Sequence, residues 1–235
     1  MFIAIRVDGN VTIGVGHVFR CVTLAKKLMD YNVNCIFFTR NLSENLRDFI
    51  SETFEVVQLN HKDPEFHPTD NYSYWLGVSE NVDAKEFIEK AIKRDIELII
   101  VDHYGIGLIW ETVVRKKYDK LMVLDDLANR KHIADLLVDQ SIGRKASSYL
   151  ELVPLDCRIL VGPKFALLRK EFELAKKNVE KKFQLLINFG GADKDNYTLH
   201  VINIMEQFKF PNDMFIKILI GNDYPFKSQL VEAIK

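Results

Sequence analysis

The sequence predicts an α/β fold in which a mostly parallel sheet carries helices on both of its faces. Short β-rich runs alternate with helical patterns of about 10–15 residues, the order typical of βαβ units. After a charged stretch the alternation starts again, with a strand-like run at Phe183–Asn188. A chain of 235 residues is long enough for one to two domains of about 150 residues each. These observations together predict two doubly wound domains.

The first predicted domain covers residues 1–170. Its first helix, His17–Met29, has Val18, Cys21 and Leu28 at helical spacing, and the polar, proline-containing stretch Asn60–Tyr74 is predicted to be a loop. The predicted strands are Phe2–Val7, Asn34–Thr39, Phe54–Leu59, Leu98–Val101, Leu121–Leu124, Leu136–Val138 and Ile159–Val161. The further predicted helices are Glu44–Ile50, Asp83–Arg94 and Leu108–Tyr118.

Residues 171–182 are predicted to form a charged helical connector, and residues 183–235 a second domain. Its predicted elements are the strands Phe183–Asn188 and Phe215–Ile220 and the helices Asp193–Phe208 and Pro225–Ile234. Because most domains have about 100–150 residues, we expect this domain to be incomplete and the less stable part of the chain. The apolar residues expected to bury against elements that the chain does not encode are Val201, Ile202, Ile204, Phe215, Ile218 and Ile220.

The composition excludes several classes of function. Lys and Arg number 32 and Asp and Glu 33, which gives a net charge of −1 and no basic field for nucleic acid or an anionic membrane. No apolar run reaches the roughly 18 residues of a membrane span. The three cysteines are far apart, which supports neither a disulfide framework nor a zinc site. We expect a cytoplasmic monomer whose partner is a small molecule.

The loop between the first strand and the first helix is the strongest candidate site. It runs from Arg6 to Arg20, at the carboxyl edge where open α/β sheets bind ligands. Gly14 and Gly16 allow close approach of the backbone to a ligand, and His17 falls at the start of the helix. The helix dipole there disfavours an imidazolium, so a neutral His17 could act as a general base. The alternative is a glycine turn followed by a helix-capping histidine.

Familiar nucleotide motifs are absent from the sequence. The stretch from Gly14 to Phe19 lacks the third glycine of the dinucleotide fingerprint, and no ribose-binding acid follows the second predicted strand. There is also no Gly-Lys-Ser/Thr phosphate loop and no His-Glu-x-x-His helix. A nicotinamide oxidoreductase and a P-loop nucleotidase are therefore not expected.

Acidic residues follow other predicted strands at the same edge. Asp102, His103 and Tyr104 come after one strand and Asp125-Asp126 after another, and Asp8 follows the first. They could orient His17 or bind sugar hydroxyls, although aspartates at strand ends also cap turns, which is at least as good an interpretation of Asp125-Asp126. No metal is inferred from them. The other histidines and both tryptophans are expected in packing or solvent-facing roles.

A second glycine turn lies in the second domain. Gly190, Gly191, Ala192 and Asp193 separate a predicted strand from a predicted helix. A diphosphate could bind at the start of that helix, so these four residues are predicted to bind nucleotide. The alternative is an ordinary turn between a strand and a helix.

Several motifs together resemble one known family. They are Arg6-Val7-Asp8, Ile13-Gly14-Val15-Gly16-His17, Arg20-Cys21, Leu24-Ala25, Trp75-Leu76-Gly77-Val78, Val101-Asp102-His103-Tyr104-Gly105-Ile106, Leu124-Asp125-Asp126, the run from Ala134 to Gln140, the run from Gly162 to Phe172, and Phe189-Gly190-Gly191-Ala192-Asp193. In this order they resemble the UDP-2,4-diacetamido-2,4,6-trideoxy-β-L-altropyranose hydrolases of pseudaminic acid biosynthesis and their spore-coat polysaccharide relatives. The match runs through almost the whole chain.

The resemblance implies a GT-B architecture of two Rossmann-like domains and a hydrolysis in which water replaces a sugar acceptor. It implies that His17 is the base, that the first domain holds the sugar, and that Gly190 and Gly191 lie beside the nucleotide. No cofactor and no dedicated metal are implied. The residues expected to bind substrate are Arg6, Asp8, Ile13, Gly14, Val15, Gly16, Arg20, Asp102, His103 and Tyr104.

The leading hypothesis is therefore a UDP-sugar hydrolase that releases free sugar and UDP with inversion at the anomeric carbon. One alternative is an inverting GT-B glycosyltransferase. Another is an inert fragment that binds nucleotide sugars, because the family's later Gly/Ser-rich motif has no counterpart before Lys235.

Overall fold

The computed structural model describes residues 2–173, 184–191, 193–211, 214–221 and 224–234. The chain divides into two compact units, Met1–Arg169 and Lys170–Lys235. Most of the predicted connector, residues 174–182, lies outside the described residues, as do Phe183 and Ala192. Within the described residues, no helix is both long and apolar enough to cross a membrane.

The larger unit contains a seven-stranded sheet in which every neighbouring pair of strands is parallel. Its strands are β1 (Phe2–Val7), β2 (Asn34–Thr39), β3 (Glu55–Gln58), β4 (Ile96–Asp102), β5 (Leu121–Leu124), β6 (Leu136–Asp139) and β7 (Arg158–Val161). Their spatial order is β3-β2-β1-β4-β5-β6-β7. The order reverses between β1 and β4, which makes that position the switch point of a doubly wound sheet.

Helices connect most of these strands. They are α1 (Gly16–Met29), α2 (Glu44–Ser51), α3 (Asn71–Leu76), α4 (Glu80–Ala91) and α5 (Leu108–Val114). Two short 3-10 turns, Ala146–Tyr149 and Pro163–Phe165, follow β6 and β7.

Alternation along the strands divides the core into two layers. Ile3, Ile5 and Val7 of β1 pack in the cluster that includes buried residues of α1 and α2, whereas Ala4 packs with those of α4 and α5. Successive side chains of a strand point to opposite faces, so Arg6 lies on the α4 side with Ala4. By the same parity, Asp102 of β4 points to the α1 side.

The smaller unit has a two-stranded parallel sheet covered by helices. Its elements are α6 (Lys170–Glu173), β8 (Gln184–Ile187), α7 (Tyr197–Met205), β9 (Phe215–Ile218) and α8 (Lys227–Ala233). Its core is small, with Ile187, Ile202, Tyr224 and Leu230 buried together. Several apolar side chains of this unit are largely exposed, among them Leu186 at 64%, Phe208 at 62% and Phe215 at 57%.

The predicted strands are all present within two residues of their expected ends, but four helices differ. Helix α4 is Glu80–Ala91 where Asp83–Arg94 was predicted, and α5 ends at Val114 instead of Tyr118. Helix α3 lies inside the stretch predicted as a loop: Asp70 caps it by accepting the Ser73 amide, and Gly77 ends it at φ +76°. Helix α7 was expected from Asp193 but begins at Tyr197. The Asp193 carboxylate accepts the amides of Tyr197 and Thr198, and Asn196 is left-handed, so residues 193–196 form a turn.

A fully buried ionic network ties β1 to α4. Arg6 donates from Nε and Nη2 to the two carboxylate oxygens of Asp83 at 3.0 and 2.8 Å, and neither side chain is exposed. Arg40 and the Trp110 indole also donate to Asp83, each at 2.8 Å. Burial alone would raise the pKa of Asp83, but Arg6 and Arg40 reverse this and hold it below its ordinary value. Asp83 therefore stays ionised and links α4 to Arg6 of β1 and to Arg40, which follows β2.

Replacement of Asp83 by Asn is expected to destabilise the larger unit strongly. The substitution removes the carboxylate that pairs with Arg6 and Arg40 and leaves Asp8 as the remaining buried partner of Arg6, and breaking a buried ion pair typically costs about 3–5 kcal/mol. Asp30→Asn is the matched control, because it removes an exposed ion pair with Lys27 at 3.2 Å, worth at most about 1 kcal/mol. Urea unfolding of both variants measures the difference. Equal unfolding free energies would contradict the assigned role of Asp83.

Candidate active site

The loop after β1 is shaped by its own backbone bonds. The Asn10 side chain accepts the amides of Thr12 and Ile13, and the Asn10 carbonyl accepts the Gly14 amide at 2.8 Å. Gly14 has φ +90°, a conformation that favours glycine. The loop therefore turns back directly before α1, and it sets His17 as the second residue of that helix.

His17 reaches across the switch point to the end of β4. Its Nδ1 lies 2.6 Å from Oδ1 of Asp102, and its side chain is 11% exposed whereas that of Asp102 is fully buried. Because an ionised carboxylate only accepts hydrogen bonds, Nδ1 carries the proton and donates it to Asp102. In the neutral imidazole the lone pair is then on Nε2.

Arg20 fixes Asp102 from the next turn of α1. Its Nε and Nη2 donate to Oδ2 and Oδ1 of Asp102 at 2.5 and 2.6 Å, which is a bidentate pair. Burial alone would raise the pKa of Asp102, but His17 and Arg20 lower it well below its usual range. Asp102 therefore stays ionised, and it orients His17 at any pH near neutrality.

Tyr104 and Asp126 complete this group from two neighbouring loops. The Tyr104 hydroxyl donates to Oδ2 of Asp126 at 3.0 Å, and Arg20 donates to the same oxygen from Nη1 at 2.5 Å. The Tyr104 ring meets His17 edge to face, with 4.6 Å between ring centroids. Asp126 is thus one of the clustered side chains, although the sequence favoured a turn-capping role for it at least equally.

An aromatic group extends from Tyr104 toward α3. The Trp75 ring stacks on Tyr104 with centroids 5.9 Å apart, and Tyr72 contacts both rings edge to face. All three side chains are partly exposed. A sugar face could pack on such a surface, and the sequence pointed to neither Tyr72 nor Trp75 as a site residue.

Three other predicted site residues lie beneath this surface. Arg6 and Asp8 are fully buried, His103 is 3% exposed, and Arg6 Nη1 lies 2.8 Å from Asp8. The Gly105 amide donates to His103 Nδ1, so the His103 proton sits on Nε2, 3.3 Å from Asp8 Oδ2. Burial lowers the pKa of His103 despite Asp8. These residues support the loop from inside, while Ile13 is buried and Val15 and Gly16 are exposed.

His132 and Asp125 also belong to buried polar pairs. The sequence predicted a packing or solvent-facing role for the first and allowed a turn-capping role for the second. His132 is 2% exposed, and its Nδ1 lies 2.6 Å from Glu111. Asp125 is fully buried and accepts from Arg130 at 2.6 Å and from the Ala128 amide at 2.9 Å. Asp125 therefore does close a turn, as one of the two interpretations held.

The glycine turn of the smaller unit is built by close backbone contact. The Gly221 amide donates to the Gly191 carbonyl at 3.0 Å, and a Cβ on Gly221 would lie 2.2 Å from that oxygen. Gly190 has φ +82°. Asp193, predicted to bind nucleotide, instead accepts two amides at the start of α7. A negatively charged side chain thus already occupies the helix end where a diphosphate was expected.

Among the described residues, no three or more His, Cys, Asp or Glu side chains are grouped so that they could hold a metal ion. The three cysteines, Cys21, Cys35 and Cys157, are buried and unbridged.

Known proteins resemble the chain along its whole length. It is 28% identical over 237 residues to the UDP-2,4-diacetamido-2,4,6-trideoxy-beta-L-altropyranose hydrolase of Campylobacter jejuni, with coverage of 100% of this chain and 75% of that protein. The resemblance predicted from the motifs is confirmed. The chain is also 29% identical over 245 residues to an uncharacterized protein of Methanocaldococcus jannaschii, of which it spans 46%. No protein-family model matches it.

Solved structures give the same fold. MurG of Acinetobacter baumannii superposes with a TM-score of 0.53 at 10% identity, covering 97% of this chain and 70% of that chain. A glycosyltransferase of Rickettsia africae gives 0.56 at 14% identity, covering 94% and 68%. Both have the GT-B fold. The predicted α/β, GT-B-like class is therefore confirmed.

Replacement of Gly105 by Ala is expected to displace Tyr104 and α3. A Cβ at Gly105 would lie 2.3 Å from the Tyr72 carbonyl oxygen, and overpacking of this kind typically costs about 1–3 kcal/mol. Gly107→Ala in the same loop is the control, because its nearest contact would be an ordinary 3.6 Å. Thermal unfolding and near-ultraviolet circular dichroism measure the effect on stability and on aromatic packing. The close approach would be refuted by a Gly105→Ala protein as stable as Gly107→Ala.

Proposed function

We propose that the protein hydrolyses a UDP-linked amino-deoxy sugar to free sugar and UDP, with His17 as the general base. The His17–Asp102 pair carries this proposal. The 2.6 Å contact places the imidazole proton on Nδ1, which leaves Nε2 able to accept a proton from water. A base with a lone pair at the switch point of an open sheet is positioned where such folds bind their ligands.

The reaction balances with the residues at this edge. Water attacks the anomeric carbon as Nε2 of His17 takes one of its protons, and the bond from that carbon to the UDP oxygen breaks. UDP leaves with the bonding electron pair, and the anomeric configuration inverts. His17 becomes an imidazolium beside Asp102, which is already ionised and hydrogen-bonded to Arg20. The charge therefore forms in a prearranged field that needs little reorganisation.

Substrate class is proposed from the relatives. The Campylobacter jejuni protein is named for UDP-2,4-diacetamido-2,4,6-trideoxy-β-L-altropyranose, and we assign this chain a sugar of that type, acting in nonulosonic acid or surface-polysaccharide biosynthesis in the cytoplasm. The partly exposed rings of Tyr72, Trp75 and Tyr104 support an amino-deoxy sugar, because missing hydroxyls leave an apolar face that can pack on aromatic rings.

An inverting glycosyltransferase is the second candidate. The GT-B structures that match this chain include a glycosyltransferase, and the same base could deprotonate a sugar hydroxyl in place of water. The two functions differ in the acceptor alone, so the source of the attacking oxygen decides between them.

Incubation with a panel of UDP-sugars in ¹⁸O-labelled water tests the proposal. Hydrolysis at the anomeric carbon is expected to release UDP without label and, as the first product seen by proton NMR, sugar of inverted configuration. Label in the β-phosphate of UDP would mean attack at phosphorus and would contradict the proposed step. Product that forms only when an acceptor sugar is added would identify the glycosyltransferase, and binding without turnover would identify the inert nucleotide-sugar-binding fragment.

Replacement of His17 by Asn is expected to lower kcat about 10²–10⁴-fold, the usual contribution of a general base. The amide cannot accept the proton that Nε2 takes, whereas the fold does not depend on this partly exposed ring. His67→Asn, in an exposed loop, is the matched control and should retain wild-type kcat. Steady-state UDP release and thermal unfolding are measured for both. Turnover of His17→Asn within tenfold of the control would exclude His17 as the base.

A further inference from the structure

A polar depression follows β6 in the larger unit. It encloses about 450 Å³ and is lined by Ser141, Ile142, Gly143, Arg144, Lys145, Ser147 and Ser148. β6 ends at Asp139, so the depression lies on the loop at the carboxyl end of that strand. Two cations and three hydroxyl groups line it, and no carboxylate does.

Arg144 uses two of its three guanidinium nitrogens for hydrogen bonds to described residues. Nε donates to Asp139 at 2.8 Å, and Nη2 donates to the Asp126 carbonyl at 2.7 Å. No described residue receives a hydrogen bond from Nη1. Asp139 is fully buried and also accepts from the Tyr149 hydroxyl at 2.8 Å, so the acceptor that anchors Arg144 is itself rigid. Preorganisation of this kind lowers the cost of holding a ligand.

The charges favour an anion in the depression. Asp139 offsets the charge of Arg144 at 2.8 Å, whereas the exposed Lys145 forms no ion pair with the described residues. Burial alone would raise the pKa of Asp139, but hydrogen bonds from Ser141, Tyr149 and Arg144 bring it below its ordinary value. The carboxylate that binds Arg144 therefore remains ionised. An anion would meet the charge of Lys145, the free Nη1 of Arg144 and the Ser147 and Ser148 hydroxyls, all of which are donors.

We propose that this depression is a binding site for a phosphate-class anion. Three donor types that recognise phosphate oxygens, a guanidinium, an ammonium and hydroxyls, line this one depression of about 450 Å³, which is large enough for a phosphate group. The anion is either free phosphate or the phosphate of a nucleotide, which share this chemistry. The site stands on its own residues and does not depend on the proposed hydrolysis.

The position of Arg144 connects the site to the residues around His17. Arg144 bonds the backbone carbonyl of Asp126, and the side chain of Asp126 accepts from Arg20 and Tyr104. An anion bound by Arg144 would therefore affect Asp126, which accepts hydrogen bonds from both Arg144 and Arg20. Phosphate binding is expected to change the backbone amide shifts of the loop that contains Asp126.

Phosphate binding by Lys145 variants tests the proposal. Inorganic phosphate is titrated into the full chain at constant ionic strength, with saturation followed through backbone amide shifts in ¹⁵N-correlated NMR spectra. Wild-type protein should saturate, with shifts in residues 141–148 and at Asp126. Lys145→Gln should weaken the affinity at least tenfold, which corresponds to about 1.4 kcal/mol, whereas Lys145→Arg should stay within threefold. Lys93→Gln, at another exposed lysine, should bind as wild type does.

The same titration with UDP distinguishes the two sources of the anion. Weakening of both phosphate and UDP by Lys145→Gln would assign the site to the nucleotide, and weakening of phosphate alone would assign it to a free anion. Arg144→Gln is not needed for this test, so loss of its structural bond to Asp139 does not confuse the result. Absence of saturable binding, or equal affinity in Lys145→Gln and Lys93→Gln, would overturn the proposal.

Discussion

The ionised carboxylate of Asp102 is the acceptor on which the edge of the larger sheet depends. It is the last residue of β4 and is fully buried, yet it receives donors from His17 and Arg20 of α1 and lies 3.4 Å from the Cys21 sulfur. A charge so placed would be costly without these partners. The position of α1 against β4 and the orientation of the His17 ring therefore both depend on one buried group.

A second carboxylate performs the corresponding task on the opposite face of the sheet. Asp83 of α4 binds Arg6 and Arg40, whose neighbours are Asp8 and Glu86. The parity of β1 explains this division, since alternate residues send apolar side chains toward α1 and Arg6 toward α4. The segment after β1 therefore starts at Asp8, which belongs to one ionic network, and leads to His17, which belongs to the other.

The sequence was sufficient for the parts of the fold that repeat a local pattern. The β strands are apolar runs between turns, and α1 shows an apolar stripe, so short-range periodicity located both. Helix α3 was missed because six residues are too few to show a period. Its signals were nonetheless present, as Asp70 and Ser73 form a capping box and Gly77 ends the helix. The late start of α7 depends on where the Asp193 side chain points, which no periodicity reveals.

One physical rule explains which of the clustered residues the sequence could bring together and which it could not. Gly14, Gly16 and His17 are adjacent in the chain, and Asp102 follows a strand, so the rule that parallel strands end at one edge brings them together. Asp83 gave no such signal, and Asp126, although it follows a strand at the same edge, was at least as well explained as a turn cap. An acid in a helical pattern is normally solvated, and an acid after a strand normally caps a turn, so each owes its role to an arginine that is distant in sequence.

The buried carboxylates at this edge keep their charge near neutral pH. Opposing partners hold the pKa of Asp102 below its ordinary value, as they do for Asp8, so these groups do not change protonation near neutral pH. The Nδ1 of His17 lies 2.6 Å from Asp102, while its Nε2 has no hydrogen-bond partner among the described residues. In the proposed hydrolysis a proton taken from water would therefore go to Nε2. The buried carboxylates contribute by staying charged, because their charge fixes the orientation of the imidazole.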